Sequence, residues 1–120
     1  MNQLNNLILE GTVINEPEAV AKSTTSNERL IKFTIANDRY YLDSNKTPKQ
    51  ETLFMVVNCW GELGEKVLAT IHKGKILRAV GRLFQTRWVT KTGEHKSSIE
   101  LDCNHIEYRI EKKEYSMEVL

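Results

Sequence analysis

At 120 residues the chain has enough length for one hydrophobic core and too little for two. Its 40% hydrophobic and 28% charged content argues against disorder, and no apolar run approaches the ~20 residues that a membrane span needs. The net charge of +1 does not by itself mark a binder of nucleic acid, and the first six residues, Met1-Asn2-Gln3-Leu4-Asn5-Asn6, lack the basic-then-apolar start of a secretory signal, so a cytoplasmic protein without membrane contact is expected.

The hydrophobic pattern has a period of two rather than 3.6 through most of the chain, which predicts strands. Leu7 to Ile14 is the first, and Gly11 inside it predicts the bend or bulge that closing a barrel requires. The polar stretch Asn15 to Asn27, with Pro17, reads as a loop. Leu30 to Ala36 alternates with Ile31, Phe33 and Ile35 on one face, and the strand is expected to continue to Tyr41. Asp43 to Glu51 reads as a hairpin loop and Thr52 to Trp60 as the third strand. Leu63, Val67, Leu68 and Ile71 then fall on one face of a short helix spanning Gly61 to Ile71, with Gly74 as its expected C′ cap. Ile76 to Thr90 is a long strand interrupted by Gly81, Thr92-Gly93 marks a turn, and Lys96 to Tyr108 is the fifth strand. Residues 1–110 are thus expected to form the domain, with 111–120 a short charged tail. Three strands, a helix and two more strands is the chain order of an all-β, five-stranded OB barrel, with its helix between the third and fourth strands.

Charge is unevenly placed. Between Thr70 and Lys96 stand Lys73, Lys75, Arg78, Arg82, Arg87, Lys91 and Lys96 against the single acid Glu94, a local balance of +6, while the remainder of the chain carries −5. A basic segment set against an acidic remainder favours an anionic partner. Cys59 and Cys103 sit in apolar runs without a CxxC spacing, and His72, His95 and His105 are scattered, so two buried free thiols are expected and neither a metal nor another cofactor.

Strand parity sorts the faces. Met55, Val57 and Cys59 are core candidates on the third strand, leaving Phe54, Val56, Asn58 and Trp60 on the other side. On the fourth, Leu77, Ala79, Gly81 and Leu83 look inward, and Arg78, Val80, Arg82, Phe84, Thr86 and Trp88 share the opposite parity. Aromatic rings beside arginines suit a platform on which unpaired bases stack while cations hold phosphates, and such a platform does not read sequence. No nucleophile with a placed base and no cluster of carboxylates emerges, so an enzyme is not expected; Asp102 and His105 read as structural.

In these stretches the chain resembles the bacterial single-stranded DNA-binding proteins: residues 6–13, Glu16-Pro17-Glu18, Phe33-Thr34-Ile35-Ala36, Val57-Asn58-Cys59-Trp60-Gly61, His72-Lys73-Gly74-Lys75, Val80-Gly81-Arg82-Leu83 and the Trp88 to Gly93 hairpin. The resemblance implies an OB-fold homotetramer that wraps single-stranded DNA in replication, recombination and repair. It places the stacking aromatics at Tyr41, Phe54, Trp60 and Trp88, to which parity adds Phe84, and basic contacts at Lys73, Arg87, Lys96 and Lys22. Lys75, Arg78 and Arg82 join them from the basic segment. Phe84 and Thr86 stand where family members often carry arginine, so the basic track is thinner or rearranged here. The family usually continues into a flexible linker with an acidic tip that recruits replication and repair enzymes. This sequence ends at Met117-Glu118-Val119-Leu120, which leaves that recruitment open. A short replication-restart accessory protein, usually a dimer and acting mainly as an interaction module, is the alternative.

Overall fold

The computed structural model describes residues 1–109 and 117–120. Strands β1 (Leu7–Val13), β2 (Glu18–Lys22), β3 (Arg29–Leu42) and β4 (Pro48–Trp60) precede helix α1 (Gly61–Thr70), and β5 (Ile76–Val89), β6 (His95–Arg109) and β7 (Met117–Val119) follow it. The sheet runs β1-β5-β6-β4-β3, and a further pairing of Thr12 and Val13 with Ala36 and Ile35 on β3 closes it into a five-stranded barrel. All pairings are antiparallel except β4 with β6, where Val57 and Asn58 run parallel to Leu101 and Asp102. This is the OB architecture expected from the strand order, with the helix between β4 and β5.

Closure demands that β1 serve two neighbours. It pairs with β5 along its length and swings onto β3 at its end, and Gly11 stands at the crossing. A side chain there would meet the Ala36 carbonyl oxygen at 2.7 Å, so the strand turns where only hydrogen fits. Inward residues of alternate parity fill the barrel: Ile31, Phe33 and Ile35 from β3, Val57 and Cys59 from β4, Leu77 and Ala79 from β5, Leu101 and Ile106 from β6. The helix closes one end, burying Val67 and presenting Leu63 and Leu68 to the core, and Ile71 follows them inward.

Several element limits differ from the pattern reading. The stretch expected to be a loop, Asn15 to Asn27, contains β2, whose five residues are all exposed at the sheet edge. The hairpin loop expected from Asp43 to Glu51 shrinks to a turn, because β4 already begins at Pro48. Gly74 is not the helix cap: α1 ends at Thr70 with Ile71 in extended conformation, and Gly74, at φ 96°, belongs to a separate turn in which the Lys75 amide donates to the His72 carbonyl. The last residue of the expected domain, 110, and residues 111–116 of the expected tail lie outside the described residues, while Met117–Val119 pairs with Arg109 to Glu107 and Leu120 packs against the core. Among the described residues no helix is long and apolar enough to cross a membrane.

Cys59 and Cys103 are both buried, on neighbouring strands. The adjacent Cys103 thiol, and then burial itself, push the Cys59 thiol far above the ordinary thiol range. Because the thiolate is the nucleophile, Cys59 is expected to stay unmodified by an alkylating or disulfide reagent in the folded protein and to react once guanidinium unfolds the chain. Rapid native labelling of Cys59, followed by mass spectrometry, would show that the barrel opens far more easily than its packing implies.

Candidate nucleic-acid interface

Two hairpins carry the residues of interest. Strands β3 and β4 pair in unbroken register from Leu30 opposite Trp60 out to Leu42 opposite Pro48. The Asp43 carboxylate closes their turn by accepting the Asn45 and Thr47 amides, each at 2.9 Å. Strands β5 and β6 pair from Leu77 opposite Tyr108 out to Val89 opposite His95. Their turn is held by the Glu94 amide donating to the Thr90 hydroxyl and by Gly93 at φ 87°. Both hairpins run past the barrel as arms, since β1 pairs with β5 only as far as Gly81.

Residues directly opposite in a ladder share a face. On β3–β4 the outer face carries Trp60 with Leu30, Asn58 with Lys32, Val56 with Thr34, Phe54 with Ala36, and Gln50 with Tyr40. Phe54 is 62% exposed and Trp60 40%. On β5–β6 the corresponding face carries Trp88 with Lys96, Thr86 with Ser98 and Phe84 with Glu100. Trp88, 48% exposed, borders a cleft of about 310 Å³ with Arg87, Val89, His95, Lys96 and Ser97, whereas Phe84 is half-buried. The two faces meet at the β4–β6 seam, where the Asn58 amide donates to the Glu100 carboxylate at 2.7 Å. Phe54, Trp60, Phe84 and Trp88 therefore belong to one outer surface.

Gly81 does not break the parity of β5. The register shift there pairs Val80 with His105 and Gly81 with Cys103, so the extra residue is Asn104 on the partner strand. Tyr41 is placed differently from the other aromatics. It lies opposite Lys49 on the other face of β3–β4, with the Arg39 guanidinium 4.4 Å above its ring. Its neighbour Tyr40, 73% exposed, shares the face of Phe54 and Trp60. Counting parity back from Phe54 through the short turn would have found Tyr40; the longer loop expected there hid the register.

The basic residues divide into paired and unpaired. Arg78 reaches Glu10 at 3.0 Å and Glu107 at 3.8 Å, Arg82 reaches Asp102 at 3.0 Å, and Lys96 reaches Glu94 at 3.2 Å. Lys75 stands 4.9 Å over the Tyr108 ring. Three of these acids lie outside the basic segment, so folding lowers the local excess of charge that the linear sequence displays. Arg87, which donates to the Gln85 side chain at 2.9 Å, and the exposed Lys22 and Lys73 have no carboxylate within 4.0 Å among the described residues. The same holds for Lys46, Lys49 and Lys91 near the arm tips, which the sequence reading did not single out as contacts. The Lys73 backbone amide donates to Glu16 and His72 faces the same carboxylate at 3.2 Å; both hold the Glu16 carboxyl below the usual range. Lys22 borders a different cleft beside Glu28, Gly61, Glu62 and Glu65, one rung from Leu30 opposite Trp60, and Arg29 engages Glu65 there, keeping that carboxyl low as well.

Exposed rings along one surface with unpaired cations at its ends can take planar groups by stacking and phosphates by charge, and OB barrels place such contacts on this pair of strands and on the loops at this end. Among solved structures, the chain superposes on a Plasmodium falciparum single-strand-binding protein in complex with single-stranded DNA, with a TM-score of 0.76 and 19% identity over 100% of this chain and 97% of that one. It also superposes on a small single-stranded DNA-binding protein from Streptomyces coelicolor, with a TM-score of 0.70 and 21% identity over 90% and 95% of the two chains. At such identities the likeness speaks for the fold. In sequence it is 31% identical to the single-stranded DNA-binding protein of Thermotoga maritima over 90% of this chain and 75% of that protein. It is 34% identical to that of Paenarthrobacter aurescens over 80% of this chain and 56% of its relative, so it spans little more than half the length of some curated relatives. The model of the single-strand binding protein family matches residues 4–109, from the segment before β1 to the end of β6, and the chain belongs to that family.

Proposed function

We propose that this protein binds single-stranded DNA without regard to sequence, by stacking bases on Phe54, Trp60 and Trp88, and on Phe84 at the seam, while unpaired lysines and arginines hold the phosphates. The observation that carries the reading is the single outer surface on which large rings stay exposed, Phe54 at 62%, Trp88 at 48% and Trp60 at 40%. Water leaves such rings uncovered at a cost, and an unpaired base offers a flat apolar face to each. Tyr40 joins the surface in this reading and Tyr41 lies to its side. Arg87 and Lys96 flank Trp88, while Arg78 and Arg82 contribute mainly to holding the barrel through their carboxylate partners. Lys22 stands one rung from Leu30 opposite Trp60, and Lys73 and Lys75 lie in the segment between α1 and β5; all three serve, in this reading, a strand that wraps beyond the exposed rings.

The protein acts by binding and not by catalysis, in the cytoplasm and on nucleoid DNA, in replication, recombination and repair. Self-association into a homotetramer is supported by β1: its pairing with β3 covers Thr12 and Val13, so among the described residues no strand pairs with its other edge from Leu7 to Glu10, and Ile8 beside it is 64% exposed. The names of the relatives favour DNA binding over the interaction-module alternative. The test is quenching of tryptophan fluorescence by poly(dT) at several salt concentrations. Strong, saturable quenching that weakens as salt rises is the expected result. Absence of quenching even at low salt would overturn the reading.

A further inference from the structure

We propose that Glu100 is an electrostatic brake on this surface, its carboxylate withholding Lys32 from the phosphates of a bound strand. The inference rests on the single-strand reading given above and concerns how that same surface is tuned. Glu100 is 8% exposed, at the seam where the two hairpins join. One of its oxygens, Oε1, accepts from the Asn58 amide at 2.7 Å and from the Lys32 ammonium at 3.1 Å. Asn58 is itself 2% exposed, but the Lys32 side chain retains 34% exposure. The ammonium is thus held by the carboxylate and still within reach of solvent.

The position of this group is the unusual part. Glu100 stands opposite Phe84 on β5, and Asn58 lies two residues before Trp60 on the same face of β4. A strand stacked on the β5 arm and on Trp60 passes over the seam. A bare carboxylate would repel it there, and a bare lysine would hold it. A carboxylate this deeply buried is stable only when paired and hydrogen-bonded. Lys32 meets that need, and the pair leaves the centre of the surface close to neutral. The unpaired cations Lys46, Lys49, Arg87 and Lys91 lie toward the arm tips instead. Phosphate attraction is thereby concentrated at the ends of the path, while the middle grips through rings alone.

The experiment measures oligo(dT) affinity by tryptophan quenching across a salt series for the wild type, Glu100→Gln, Lys32→Gln and the double variant. Glu100→Gln keeps the shape and the Asn58 hydrogen bond but frees the ammonium. One added phosphate contact steepens the salt dependence by about 0.7 and tightens binding roughly tenfold near 0.05 M salt. Lys32→Gln alone, which bares the Glu100 carboxylate, is expected to weaken binding, while the double variant, neutral like the wild-type pair, is expected to stay near wild type. Unchanged or weaker binding by Glu100→Gln would overturn the proposal. So would a gain that persists in the double variant, since Glu100 would then act by repelling DNA directly. Acylation of Lys32 by an N-hydroxysuccinimide ester, mapped by mass spectrometry, reads the pair without DNA and is expected to be faster in Glu100→Gln. A wild type that binds no oligo(dT) overturns the functional reading and the purpose of the brake together, whatever the acylation shows. Binding by the wild type with no change in Glu100→Gln overturns the brake alone.

Discussion

Replacing Trp60 and Trp88 together with alanine should weaken binding to an unstructured oligonucleotide by about 30-fold to 25,000-fold, since each stacked base contributes about 1–3 kcal/mol. The folded state should tolerate both changes. Each indole is at least two-fifths exposed, and neither belongs to the barrel core. Trp60 also occupies the N-cap position of α1, but its side chain makes no capping hydrogen bond, so the helix loses nothing with the ring. Unfolding therefore should not masquerade as lost affinity, and an unchanged melting curve checks this. If the double variant binds as tightly as wild type, stacking on these rings is not how the chain holds DNA. The same assay separates the two adjacent tyrosines: Tyr40→Ala should weaken binding more than Tyr41→Ala, because Tyr40 stands on the face of Phe54 and Trp60 while Tyr41 lies under Arg39 on the other.

The strands that close the barrel were legible because one of their faces is buried. Ile31, Phe33 and Ile35 or Leu77 and Ala79 must alternate with polar neighbours, and alternation is what a linear reading detects. Where neither face is buried the signal vanishes. Strand β2, Glu18-Ala19-Val20-Ala21-Lys22, has water on both sides and reads as a loop, and so do the first residues of β4, Pro48 to Glu51, at the exposed tip of the arm. The aromatic surface was visible through parity, but its electrostatics were not. Glu10, Asp102 and Glu107 are distant in sequence from the arginines they neutralise, and pairing of β1 and β6 with β5 brings them together. Lys32 and Glu100 escaped notice for the same reason: 68 residues separate partners that meet only across the one parallel pairing in the barrel.

Gly81→Ala is expected to be the most damaging small substitution near the site, because the obstacle is backbone. A methyl group on Gly81 would lie 2.0 Å from the Asp102 carbonyl oxygen and 3.0 Å from the Cys103 Cα. Neither can rotate aside as a side chain would. Relief requires β5 and β6 to separate by more than 1 Å, roughly the gap to an ordinary contact, at the register shift where Asn104 already bulges the partner strand. Overpacking of this kind costs about 3 kcal/mol or more. At this chain length each kcal/mol lowers the melting temperature by about 4 °C, so a fall of about 10 °C or more is expected. Gly93→Ala supplies the contrast: its φ of 87° strains any side chain, yet nothing lies within 4 Å, so its penalty should be confined to the turn and smaller. The strain at Gly81 also bears on the site, since the strand pair it would force apart leads directly to Trp88, and Arg82 opposite Asp102 is the next rung. Thermal unfolding followed by circular dichroism decides the matter. A Gly81→Ala protein melting within about 2 °C of wild type would mean that the two strands do not approach as closely in solution as this register requires.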